Sequence, residues 1–205
     1  MQAPLRLLGV ATVAAVSSLV ASSASASVIT FNQQFVWESY VTAQGNAILL
    51  EDFNDIADGF YSSPFSQSVG SVTWTATAGG GLFAFGGQLS TNNPEALTFT
   101  FGPDVRGVGG NFFGTDINFN VVPSIVTVSL SNGTSYVGLV NAATAYTGFY
   151  ATSAFITAIT ISAAPASGSP AVYPTVDNLQ FAVVPTPGAL ALLGLAGLAG
   201  TRRRR

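Results

Sequence analysis

A chain of 205 residues with no cysteine and no histidine can form neither disulfides nor thiolate or imidazole metal sites, and it lacks the commonest general base. Its formal net charge of -3 hides a sharper asymmetry, because between Ser27 and Pro187 nine acids face one base, Arg106, which leaves minus eight. Phosphate backbones repel such a body, so no nucleic-acid partner is expected, and a hydrolase built on it would need a pair of carboxylates.

In chain order, Met1 to Ala26 carries one cation, Arg6, then an apolar run from Leu7 to Val20, then Ala24-Ser25-Ala26. This is the layout of a secretory signal peptide with its small-x-small cleavage rule, so export by Sec-type machinery and cleavage between Ala26 and Ser27 are expected. The competing reading, an uncleaved anchor, is weakened by the shortness of the run and its dilution by Thr12, Ser17 and Ser18.

From 27 to 183 the chain is long enough for one domain with a sizeable core, and its apolar pattern has period two. Strands are predicted over 28–31, 48–53, 69–78, 81–85, 97–101, 105–113, 125–131, 134–140, 155–162 and 176–184. Gly, Pro, Asn and Ser punctuate nearly every gap. One short helix is allowed over 35–46, where Val36, Trp37, Tyr40 and Val41 are apolar. Many short strands with no other amphipathic helix predict an all-β fold, an antiparallel two-sheet β-sandwich of jelly-roll topology. An N-terminal signal helix and a short C-terminal hydrophobic helix are expected to flank it.

Asn132-Gly133 reads as a two-residue type I′ hairpin turn. That loop sets Val128 opposite Val137, Val126 opposite Leu139 and Leu130 opposite Ser135, with Thr127, Ser129 and Tyr136 on the other face. Gly79-Gly80-Gly81 and Gly107, Gly109 and Gly110 precede neither a lysine nor a predicted helix, so turns and close sheet packing are favoured over phosphate binding.

Four acids, Glu51, Asp52, Asp55 and Asp58, fall within eight residues, and either full solvation or a hard cation would relieve their repulsion. The segments Glu51-Asp52-Phe53-Asn54 and Val176-Asp177-Asn178-Leu179-Gln180-Phe181 resemble the first and last core strands of jelly-roll carbohydrate-binding modules. That resemblance implies a structural calcium held by Glu51, Asp52 and Asp177. Sugars stack on aromatic faces, and Tyr61, Tyr146 and Tyr150, set among Gly, Ser and Thr, are the candidate glycan contacts, whereas Trp74 in a clean strand is expected in the core.

The chain closes on Val184-Pro185-Thr186-Pro187-Gly188, thirteen Gly, Ala and Leu residues from Gly188 to Gly200, Thr201, and the cluster Arg202, Arg203, Arg204 and Arg205. The prolines keep the backbone extended, the apolar run partitions into lipid, and the arginines stay cytoplasmic. This three-part layout resembles the PEP-CTERM sorting signal of Gram-negative bacteria, with Pro-Thr-Pro where that family has Pro-Glu-Pro. The resemblance implies transient anchoring in the inner membrane, processing near the prolines by an exosortase-type enzyme, and delivery to the cell envelope or extracellular polymer. Thirteen residues rise only about 20 Å as a helix, short of a roughly 30 Å hydrocarbon core, which favours a processed signal over a lasting anchor.

Segments 1–26, 27–183 and 184–205 are thus read as signal peptide, β-sandwich and sorting segment. Two functions follow: a non-enzymatic envelope or matrix protein, structural or in contact with extracellular polysaccharide, and, as the alternative, a carboxylate-dependent glycoside hydrolase or lyase acting on that polymer. No local pairing of acids signals the second.

Overall fold

The computed structural model describes residues 27–168 and 171–185. Both flanking helices expected from the sequence lie outside these residues, and among the described residues no helix is long and apolar enough to cross a membrane. Fourteen strands and one helix follow one another as β1 (Val28–Phe31), α1 (Gln34–Ala43), β2 (Ala47–Glu51), β3 (Gly59–Tyr61), β4 (Phe65–Val69), β5 (Val72–Thr77), β6 (Leu82–Phe85), β7 (Gln88–Thr91), β8 (Leu97–Phe101), β9 (Val105–Thr115), β10 (Ser124–Leu130), β11 (Ser135–Val140), β12 (Tyr146–Ala151), β13 (Ala158–Pro165) and β14 (Tyr173–Val183).

They build the expected β-sandwich. One sheet has eight strands in the order β1-β12-β9-β14-β7-β6-β3, with β2 also on β14, and the other has six in the order β11-β10-β13-β8-β5-β4. Every pairing is antiparallel. From β7 onward the chain changes sheet at almost every connection, the crossing pattern of a jelly roll. Alternating residues of both sheets, among them Trp74, Leu97, Phe99, Val128, Ile161 and Phe181, fill the space between them.

The helix lies against the outer face of the larger sheet. Its Trp37 and Val41 form a second apolar cluster with Tyr146, Tyr150 and Ala182, and the Trp37 indole N–H donates to the Phe149 carbonyl at 3.0 Å. Glycine makes room here: a Cβ on Gly148 would stand 2.5 Å from Trp37 Cδ1, and the Tyr146 hydroxyl occupies the corresponding space at Gly109. The glycines of β9 thus serve close packing.

Four strands escaped the period-two reading. All six residues of β12 are buried, three facing the other sheet and three facing α1, so its sequence shows no alternation. The predicted strand over 69–78 is divided by a two-residue turn at Gly70-Ser71, with Gly70 at φ 55°, which separates β4 from β5. β3 and β7 are short, with three and four residues.

The hairpin register also differs from expectation. Leu130 closes on Thr134 with a 2.8 Å backbone bond, so the loop has three residues, Ser131-Asn132-Gly133, and only Gly133, at φ 86°, takes a left-handed conformation. Val128 therefore pairs with Tyr136, Val126 with Gly138 and Ile125 with Leu139. A slip of one residue inverts the strand: Tyr136 packs toward Phe149 in the core, while Val137 and Leu139 are 62% and 69% exposed. The two-residue turn with both central φ angles positive is found instead at Gly86-Gly87, between β6 and β7.

Candidate functional site

The three tyrosines expected as glycan contacts lie in strands, not loops. Tyr146 and Tyr150 in β12 are buried beneath α1. The Tyr146 hydroxyl donates to Gln180 Oε1 at 2.9 Å, and Gln180 donates in turn to Glu38 at 2.7 Å. Burial, reinforced by the Glu38 charge, pushes the Tyr146 phenol far above its ordinary range, so it stays neutral. Tyr150 accepts from Asn46 at 2.7 Å. Tyr61 in β3 packs 4.6 Å from Phe65, ring to ring, and donates to the Ala57 carbonyl. Local Gly and Ser content suggested loops because these residues sit where a sheet is covered on both faces or near its edge.

The two acidic segments do meet in space, since β2 pairs with β14 and sets Glu51 opposite Leu179. Their carboxylates are not gathered as a set. Glu51 turns inward, accepting from the Phe53 amide at 3.0 Å and from the Trp74 indole at 2.8 Å, and desolvation raises its pKa. Burial likewise raises that of Asp177, with a smaller contribution from the nearby Asp52 charge. Asp52 is held low by its hydrogen bonds to Asn54. Among the described residues no three of His, Cys, Asp and Glu stand together as a metal-binding group, so a calcium between Asp52 and Asp177 would draw most of its six to eight oxygens from carbonyls, amides and water.

Of the terminal signals, Ser27 lies within the described residues, where its carbonyl accepts from the Thr152 amide at 3.0 Å; Val184 donates to the Asp104 carbonyl at 3.2 Å. Ala24, Ala26, Thr186, Pro187, Gly188 and the four terminal arginines lie outside.

A cleft of about 230 Å³ opens elsewhere on the larger sheet, between β6, β7, the start of β14 and the loop that follows β9. Phe83, Ile117, Phe119 and Tyr173 supply its apolar wall, and Asn92 and Asp116 stand among its polar groups. The loop over 116–120 is closed by Asp116, whose Oδ1 accepts from the Asn118 amide at 2.8 Å and the Asn120 amide at 2.9 Å, while Oδ2 accepts from the Asn120 side chain at 3.0 Å. The Asn120 side chain and these amides hold the Asp116 carboxyl below its ordinary range, so it is ionised at neutral pH.

The tight loop has a conformational cost. Phe119 is held at φ 62°, a left-handed conformation that bulky side chains rarely take. Its ring stands 5.9 Å from Phe83 and 5.2 Å from Phe85. Phe60 pairs with Phe83 in the adjoining strand, and Phe60, Phe85 and Ile117 are 58%, 48% and 75% exposed. The result is an aromatic shelf beside a polar-rimmed cleft. In the sequence Asp116 has no acid near it to suggest a site; the Asp116-x-Asn118-x-Asn120 spacing, suited to side chains that cap their own backbone, is the signal that marks the loop.

No family model, characterised protein or solved structure matches the chain.

Proposed function

We propose that the protein is a non-enzymatic, exported envelope or extracellular-matrix protein, delivered by its C-terminal sorting segment, whose β-sandwich is structural or contacts glycans. The observation that carries this reading is the agreement between the signals and the strands. Among the described residues the first strand starts at Val28, just beyond the expected cleavage after Ala26, and the last ends at Val183, just before the Val184-Pro185-Thr186-Pro187-Gly188 motif. Cutting at both places would leave all fourteen strands of the described residues in the product. Sec-type export machinery and an exosortase-type enzyme are the partners this route requires.

The alternative, a carboxylate-dependent hydrolase or lyase, calls for two carboxyl groups facing each other, one with a raised pKa. The cleft lining includes one carboxylate, Asp116, and its pKa is lowered. That arrangement suits a binding surface better than a general acid.

An intact-mass measurement on protein isolated from the envelope of the producing cell tests the proposal. A product that begins at Ser27 and ends near Pro187 is the expected result. Retention of Arg202 to Arg205 in the envelope fraction would replace sorting by permanent anchoring, and recovery of the full chain from the cytoplasm would overturn export.

A further inference from the structure

We infer that the cleft between Phe83, Phe119 and Tyr173 binds an uncharged saccharide unit of an extracellular polymer, with Phe119 as the stacking platform; this rests on the glycan-contacting reading above. Three observations converge on it. Phe119 is held in a left-handed backbone conformation by the Asp116 clamp, and the outcome of that strain is a ring presented beside Phe83 and Phe85 at the mouth of the cleft. A loop relaxed into ordinary φ would not place the ring there, and strain of this kind persists only where the surrounding structure imposes it.

The polar groups at the cleft are available for hydroxyls. Among the described residues the Tyr173 hydroxyl has no hydrogen-bond partner, and the Asn92 side chain donates to the Gly80 carbonyl at 3.3 Å, which leaves its oxygen free to accept. The Asp116 carboxylate is ionised, and its Oδ2, which accepts only from the Asn120 side chain, keeps a lone pair for a further donor. An apolar wall with a few converging donors and acceptors is the usual make-up of a small-ligand site, and a volume of about 230 Å³ suits a single ring rather than a chain of them.

Charge selects the class of sugar. The only base among the described residues, Arg106, is stacked 4.4 Å over Phe155 and donates to the Ala154 carbonyl at 3.2 Å. It is not part of the cleft lining. A uronate or sulfated sugar would bring its anion against Asp116 with no counter-charge, whereas a neutral hexose offers hydroxyls to the carboxylate and a C–H face to Phe119.

Affinity electrophoresis of the protein isolated from the producing cell, through gels containing dextran, glucomannan or hydroxyethylcellulose, with alginate as the acidic control, tests this. Retardation in at least one neutral gel and none in alginate is expected. Phe119→Ala should weaken retardation by about tenfold, the loss of one aromatic contact of roughly 1.4 kcal/mol. Tyr173→Phe, which deletes only an oxygen and keeps the packing, should weaken it severalfold, and Val137→Ser on the other sheet should leave it unchanged. Migration unaltered in all neutral gels, retardation by alginate alone, or retardation that survives both cleft substitutions would each overturn the inference. Concentration-dependent self-retardation in a gel without polymer, abolished by Phe119→Ala, would overturn it in favour of a protein-docking face. Failure here with the correct trimmed mass leaves the export reading standing, while cytoplasmic retention with intact binding overturns that reading alone.

Discussion

The indole N–H of Trp74 donates to the carboxylate of Glu51 at 2.8 Å, and because Trp74 lies in the six-stranded sheet and Glu51 in the eight-stranded one, this bond ties the two layers of the sandwich together. Both residues are buried. The ring is boxed by Phe53, Phe65 and Phe99 at centroid distances of 5.7, 6.0 and 5.6 Å. Glu51→Ala would orphan the indole and the Phe53 amide together, and chemical denaturation should show a loss of roughly 3 kcal/mol. Glu51→Gln, which retains an acceptor, should lose clearly less.

The same burial sets a pH dependence. Desolvation raises the pKa of Glu51 above its ordinary 4.5 and that of Asp177 above 3.8. Such groups take up protons more readily folded than unfolded, so their stabilising contribution is complete below the unfolded values and lost as pH rises through the folded ones. Hydrogen bonds from Asn54 and Asn120 act oppositely on Asp52 and Asp116, whose contribution is lost as pH falls below their ordinary 3.8. The melting temperature should therefore rise between pH 7 and pH 5 and fall again in stronger acid. In Glu51→Gln the rise should shrink. A wild-type melting temperature that climbed from pH 5 to pH 7 would contradict this account.

Asp52 and Asp177 repel each other across the junction of β2 and β14. In chelator, Asp177→Asn should melt slightly higher than the wild type, by a few tenths of a kcal/mol, because relief of burial and repulsion outweighs any lost contact. Were calcium to sit there, chelator would lower the wild-type melting temperature and Asp177→Asn would lose that response. Calorimetry with calcium and with chelator separates the two.

Gly148→Ala should be among the most damaging small substitutions in the chain. The added methyl would lie 2.5 and 2.8 Å from Trp37 Cδ1 and Cγ, forcing α1 off the sheet at a cost of about 1–3 kcal/mol. Loss of the near-ultraviolet signal of Trp37 should accompany the fall in stability.

The hairpin offers a test of register. Leu139→Thr and Val137→Thr should fall within about 0.5 kcal/mol of wild type, as exposed positions do, whereas Tyr136→Ala should cost about 3 kcal/mol because its ring packs against Phe149. The two-residue turn would require the opposite ranking. Gly133→Ala, at φ 86°, should cost about 1 kcal/mol.

Half-buried strands such as Leu97–Phe101 and Val72–Thr77 were legible because one face meets the core and the other water, which writes an alternation into the chain. The segment Tyr146–Ala151 was not, because α1 covers the face that solvent would otherwise mark. For the same reason two of the three tyrosines chosen as surface platforms belong to the interior. The cleft was illegible in a stronger sense: Phe83, Asn92, Asp116 and Tyr173 come from four separate stretches that only sheet pairing brings together.

What the sequence determined by itself is the all-β sandwich, the short helix and the exclusion of thiol and imidazole chemistry, since each follows from composition or from a periodicity local to a few residues. The facing of the β11 side chains and the making of the Phe119 cleft were decided by tertiary structure. In the first, one extra loop residue reverses every side chain of the strand, a choice set by packing against Phe149 rather than by the Asn-Gly dipeptide. In the second, a local carboxylate clamp acquires meaning only because β6 lies beneath it.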